Sequence, residues 1–435
     1  MTPGASPNDL CLKMALAALF AALALPARTG SCDDWPQWRG PRRDAAYRAT
    51  DILEEFPPDG LKVCWRAVVG PGWSSPVVAG GRVYLTDAEL NSPAARERVL
   101  CFEDATGKPL WTHSYKVAYP DWSFTQGPGR GPTATPIVDA GRLYTVGLMG
   151  DLTCFDVATS NVLWSKDLQK EYGIQEFSTN ASPLIEGDLL ILFIGSSIAK
   201  SETCVVALDK TTGQEAWKSL NETVTACSPI VITHREKRQL IVRTAESVTS
   251  LDPATGRLHW REGFKAENAV ATPVFNDNLL LAGGVMLKLE ADRDAAEVLW
   301  PARRAATAAT LSNTSTALLR GDHVFSARSS GEFVCLAART GEELWVTERV
   351  TDVKSGASIH VTLIGEAVLL YTDRGELIRA RLTETGYQEQ SRTRLLEPTT
   401  PFSGRNVAWP PPAYANRRIY VRNDKELICA SLAAE

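Results

Sequence analysis

The chain has 435 residues, 44% of them hydrophobic and 22% charged, an ordinary composition for a folded globular protein. That length admits either two or three separate cores or one large repetitive β architecture. The formal net charge is -5 at pH 7 and no long basic run occurs, which excludes the positive field that nucleic acid or an anionic lipid surface requires.

At the N-terminus, Lys13 precedes an apolar run from Met14 to Ala27. The run is too short to cross a bilayer comfortably but matches the core of a signal peptide. Residues 1–31 are therefore expected to be a signal peptide or lipoprotein leader, and the mature chain to lie outside the cytoplasm with no transmembrane span. Cleavage after Ala27 fits this pattern. Thr29-Gly30-Ser31-Cys32 loosely resembles a bacterial lipoprotein signal, from which Thr29 departs, so Cys32 is the candidate for lipidation. Residues 32–60 read as an N-terminal extension and 61–435 as a repeat domain.

Within the domain one unit recurs. Ala207 to Trp217 reads ALDKTTGQEAW, and related segments end at Trp111, Trp164, Trp260 and Trp345, with a worn copy at Trp300. Together with Trp65, these tryptophans are separated by 46, 53, 53, 43, 40 and 45 residues, the period of a four-stranded propeller blade. Each Trp is expected to dock one blade on its neighbour, since an indole buries a large area on a sheet face. In the clearest unit, Thr135-Pro136-Ile137-Val138, Arg142 to Val146, Leu152 to Phe155 and Val162 to Trp164 read as four strands joined by turns. An Asp opens the last turn, where its carboxylate can accept backbone N–H bonds, and Gly at 107, 213, 256 and 341 supplies the positive φ.

Ser/Thr-Pro openings begin at Ser75, Thr135, Ser182, Ser228 and Thr272, with less regular ones at Thr316 and Ile359. An eighth, near Trp409 to Ala413, leads into two strands, Arg418 to Val421 and Leu427 to Ala430, and then stops. Lys62 to Trp65 is conversely a fourth strand with no blade before it, so the two ends are expected to join and close the ring. The prediction is an all-β, eight-bladed β-propeller, with seven blades as the alternative. Cys101, Cys154, Cys335 and Cys429 occupy one repeat position, where packed sheets stand roughly 10 Å apart, beyond disulfide reach. They read as buried thiols, and a pair involving Cys64, Cys204 or Cys227 stays open.

These repeats resemble the pyrroloquinoline-quinone (PQQ) type found in quinoprotein dehydrogenases and in BamB-like envelope lipoproteins, over Asp33 to Leu432. The opening Asp34-Trp35-Pro36-Gln37-Trp38-Arg39-Gly40-Pro41 is similar to the start of exported planctomycete-type repeat proteins. The resemblance implies the fold; a site has to be argued separately. Dehydrogenases of the family typically hold PQQ against an adjacent Cys-Cys disulfide and coordinate calcium, and no adjacent cysteines occur here. The five histidines have no HxxxH or HExxH spacing, so no metal site is expected. Gly127-Pro128-Gly129-Arg130-Gly131 is no phosphate loop, because Pro132 and a strand follow it where a helix should begin.

A propeller binds at the funnel where loops enter the inner strands. The candidates are Trp73, Ser74, Arg130, Phe177, Asn180, Asn268, Asn313 and Trp409, with amides for polar groups and indoles as flat apolar surface. The plainer reading is that the Asn residues cap strand ends and the Trp residues plug the channel. The Tyr119 to Arg130 insertion is the loop most suited to partner contact. The expected function is a monomeric, non-catalytic, cofactor-free scaffold binding a protein or cell-envelope component. The alternatives are a PQQ- and calcium-dependent dehydrogenase and an extracellular glycan-binding module.

Overall fold

The computed structural model describes residues 1, 33–125, 131–174, 180–265, 269–301, 311–312, 314–354 and 356–434. By its internal contacts the chain falls into two units, Met1–Cys32 and Asp33–Glu435, and all the described β structure belongs to the second. Residues 2–32, and with them nearly all of the leader and Cys32, lie outside the described residues. No described helix is long and apolar enough to cross a membrane.

Eight four-stranded antiparallel blades make the ring. Seven are continuous in sequence, spanning residues 77–117, 137–167, 184–219, 230–263, 274–300, 318–347 and 359–394. The eighth combines Ala413–Ala415, Arg418–Arg422 and Glu426–Ser431 with Val63–Val68, which pairs antiparallel to the last of them through Trp65↔Cys429 and Val68↔Glu426. The orphan strand around Trp65 thus closes the ring. Regular helix among the described residues is one turn, Leu168–Glu171, and a 3-10 turn, Asp121–Phe124.

The Asp-x-x-Thr-Gly turn has a chemical reason at each end. Asp209 Oδ1 accepts the N–H groups of Thr211 and Thr212 at 2.9 and 2.7 Å and the Thr212 hydroxyl at 2.9 Å. Gly213 then takes φ +73°, and a Cβ there would stand 2.9 Å from the Trp164 ring of the previous blade. Gly107, Gly256 and Gly341 meet Trp65, Trp217 and Trp300 in the same way. The indole N–H groups of Trp65, Trp217, Trp300 and Trp345 reach carbonyls of the next blade, those of Asp104, Pro253, Ala338 and Thr383, while that of Trp260 reaches Gln239 in its own blade. Trp111 lies beside Phe155 with ring centroids 6.1 Å apart. Apolar clusters consequently sit between blades: Tyr144 and Leu152 meet Leu190 and Val206, and Ile241 and Trp260 meet Leu280 and Leu287.

The seven described cysteines are free, and all but Cys64 are buried. Burial raises the thiols, Cys101 to about 12 and Cys154 to about 11, so they stay protonated and act as small apolar fillers.

Two features were not read from the sequence. Blade 1 is tall: Arg82–Asn91 and Ala94–Glu103 run ten residues each, where the matching strands of blade 3 have five. Second, the segment after Asp33 lies inside the ring. Trp35 bridges Val78 through N–H···O bonds of 2.8 and 3.0 Å, Val138 N–H donates to Pro36 O at 2.9 Å, and Ala46–Tyr47 pairs parallel with Leu363 and Ile364. The segment leaves along the C-terminus through the Ile52↔Ala433 bridge. An inner strand presents an unpaired backbone edge to the channel, and in blades 1, 2 and 7 this segment satisfies it. Trp35 is 3% exposed, edge-on to Tyr414 at 5.5 Å.

Candidate functional site

The channel is divided by a girdle of hydroxyls. Proline holds the residue before it extended, and the N–H of that Ser or Thr reaches sideways to the equivalent hydroxyl of the next blade: Ser75 to Thr135 at 3.0 Å, Thr135 to Ser182 at 3.0 Å, Ser182 to Ser228 at 2.9 Å and Thr272 to Thr316 at 3.0 Å. Thr272 also takes the indole N–H of Trp38 at 2.8 Å. The hydroxyls of Thr135, Ser182 and Ser228 thus each serve the neighbouring blade, whereas the buried Ser75 Oγ has no partner. Residues preceding the girdle form the opening mouth, and residues following it face the turn side.

At the opening mouth Trp73 and Trp409, from opposite ends of the repeat domain, meet edge to face with centroids 5.0 Å apart. Phe402 joins them, 4.6 Å from Trp409, and all three rings are half-buried. The Trp409 indole donates to Gly356 O at 2.9 Å, and its carbonyl accepts from His360 Nε2 at 2.7 Å. Burial depresses His360 to about 4, so the ring is neutral at pH 7 with its proton on Nε2. Gly356, at φ +76°, has no room for a Cβ beside Phe402.

The other predicted residues divide. Ser74 is fully buried, its hydroxyl on Thr86 O at 2.8 Å, and is committed to the fold. Half-buried Asn180 accepts the Thr133 hydroxyl at 2.5 Å, bridging two blade openings. Arg130, Phe177, Asn268 and Asn313 lie outside the described residues.

Two structures wall this mouth. The hairpin Thr400–Phe402 and Arg405–Val407 carries Phe402. It is braced by Arg405 on buried Asp373, which also accepts the Thr351 hydroxyl, and by Thr400 on Asp424 at 2.8 Å. Its signal in the sequence was slight: three residues per strand, outside the repeat. Opposite, the tall blade 1 buries Glu97 under the hydroxyls of Tyr115 and Tyr119 and the Leu148 N–H. Burial outweighs these three donors and raises Glu97 above the ordinary carboxylate value. Tyr119 thereby anchors the start of the insertion suspected from sequence; residues 126–130 lie outside the described part.

On the turn side, a cavity of about 530 Å³ lies between the N-terminal segment and blades 3 to 7, lined by Gln37, Arg39, Arg43, Val231, Phe275 and Leu319 among others.

Among the described residues no three His, Cys, Asp or Glu side chains converge.

Compared with known proteins, the family described as outer membrane protein assembly factor BamB matches residues 54–199 and 201–434. No curated protein matches the chain. Among solved structures, BamB from Moraxella catarrhalis is 17% identical with a TM-score of 0.56, over 85% of this chain and 97% of its own. Quinohemoprotein alcohol dehydrogenase from Comamonas testosteroni is 13% identical with a TM-score of 0.64, over 93% and 81%. The enzyme ADHIIG from Pseudomonas putida HK5 is 11% identical with a TM-score of 0.61, again over 93% and 81%. At such identities the likeness is one of fold.

Proposed function

This chain belongs to the family described as outer membrane protein assembly factor BamB, and from that premise we propose that it is a non-catalytic scaffold of the cell envelope that holds a segment of another protein at its opening mouth. The observation that carries the reading is the braced aromatic cluster of Trp73, Trp409 and Phe402. Rigid half-buried rings offer apolar area at little entropic cost, the usual make-up of a hot spot. The hairpin and the tall blade on either side suit an extended apolar segment better than a flat surface. The apolar run 14–27 supports export, and Cys32 would be the lipid anchor.

A photo-crosslinking residue at Phe402, tested in intact cells, should capture a discrete protein that a probe at Leu258 on an outer strand does not. Trp73→Ala with Trp409→Ala should abolish the adduct in a protein that still folds. Equal capture at both positions, or none at Phe402, would overturn the proposal.

The second reading, a PQQ- and calcium-dependent dehydrogenase, is favoured by the fold likeness to the two alcohol dehydrogenases. Titrating calcium-loaded protein with PQQ and following dye reduction separates the two. Stoichiometric binding with reduction would replace the scaffold reading; the scaffold predicts neither.

A further inference from the structure

The turn-side cavity is separate from the aromatic mouth, and its charge is unbalanced. Of the acidic groups lining it, Glu186 is engaged by Arg238 through two bonds of 2.7 Å, and Asp44 by Arg48 at 2.6 Å. Among the described residues no ion pair forms at Arg39, Arg42 or Arg43, all three of which line the space. Arg43 is 7% exposed. It donates from Nη1 to Pro183 O at 2.7 Å and Gln37 Oε1 at 3.3 Å and from Nη2 to Ser182 O at 3.4 Å, and its buried Nε has no partner. Arg39 uses Nε on Arg43 O at 3.3 Å. Burial lowers both guanidinium groups, Arg39 to about 10 and Arg43, with Arg39 adding repulsion, to about 9, yet both remain charged at pH 7.

One buried and one half-buried cation with no direct ion pair, Asp44 giving Arg39 only a longer-range attraction, are costly to hold together, and an anion between them relieves desolvation and repulsion together. The rest of the lining selects which anion. Ile185, Val231, Phe275 and Leu319 make an apolar wall that bare phosphate or sulfate would leave unfilled, whereas guanidinium forks match the planar carboxylate. We propose that this cavity binds a carboxylate carried on an apolar body, its oxygens taken by Arg39 and Arg43 and its apolar part lying against Val231, Phe275 and Leu319. Either a free aliphatic acid or the terminal carboxylate of a peptide has this chemistry. No main-chain hydrogen bond runs from the N-terminal segment to blades 3 to 6 among the described residues, so their inner edges remain available to a peptide.

Calorimetry on the full chain tests this with octanoate, octanamide, an acetylated tetrapeptide ending in leucine as the free acid, and the same peptide as its amide. At least one acid should bind with one-to-one stoichiometry and at least tenfold more tightly than its amide. Which acid binds identifies the source. Arg39→Gln should weaken that acid at least tenfold, while Arg66→Gln on the outer surface leaves it unchanged. Arg43→Lys, which keeps the charge and loses the fork, should weaken it less than Arg39→Gln. If a cavity variant does not fold, the acid-to-amide ratio in the unaltered protein still decides. Binding of neither acid, equal binding of acid and amide, or full affinity in a folded Arg39→Gln protein would overturn the site.

Discussion

The channel has two unlike halves built from one repeat. Blades 7, 8, 1 and 2 meet the N-terminal segment, which pairs with Val78, Val138 and Leu363 and buries Trp35 and Tyr47 against Tyr414. Blades 3 to 6 have the same openings and inner strands but face a cavity instead, and among the described residues only side-chain hydrogen bonds cross to them, Arg43 to Pro183 and Trp38 to Thr272. The repeat therefore sets how blades dock and says nothing about what fills the axis. A non-repeated stretch decides that, and it leaves the other half open as a cavity.

The largest expected effect breaks the covered half. Trp35→Ala should cost about 3–5 kcal/mol, the usual range for removing a buried indole, read by denaturant unfolding. Amide exchange should quicken at Val78 and Val138 and stay unchanged at Val231 and Phe275; quickening in all blades would mean that the segment supports the whole ring.

Next come substitutions that should not distinguish the halves. Gly107→Ala on the covered side and Gly256→Ala on the open side each force a Cβ to 2.5 Å from the Trp65 or Trp217 ring, at φ +72° and +70°. Each should cost roughly 2–4 kcal/mol from clash and left-handed backbone combined. A large difference between them would show that the N-terminal segment bears on blade docking.

A smaller loss is expected in the girdle. Thr135→Val strands the buried Ser75 N–H and should cost about 1–3 kcal/mol. The smallest effects are in pH dependence. His360, held below its ordinary value, contributes stability that is present above about 6.5 and is lost as pH falls toward about 4. His360→Gln should flatten unfolding midpoints across that window. Glu97 has the opposite sign, because its folded value is raised: its contribution is present at low pH and lost as pH rises through that raised value. Glu97→Gln should remove this decline toward neutral pH.

Much of this fold could be read residue by residue. Trp65 without a blade before it, and Leu427 to Ala430 without a strand after it, together predicted the closure now seen between Val63–Val68 and Glu426–Ser431. The Ser/Thr-Pro openings were visible, but what the hydroxyl does was not, because its partner is the preceding blade's backbone, 44 to 60 residues away. Of the predicted mouth, Trp73 and Trp409 come together, Ser74 turns out to be committed to the fold, and Phe402 was missed because its short hairpin carries no repeat signal.

What the sequence determined by itself was whatever recurs at short range: the Asp-x-x-Thr-Gly turn, the docking tryptophan and the spacing that counts blades. Each is a local physical device repeated often enough to be recognised. What only the tertiary structure decided was the contents of the channel, because contacts such as Trp38 to Thr272, 234 positions apart, exist only once the ring has closed and its inner edges need partners.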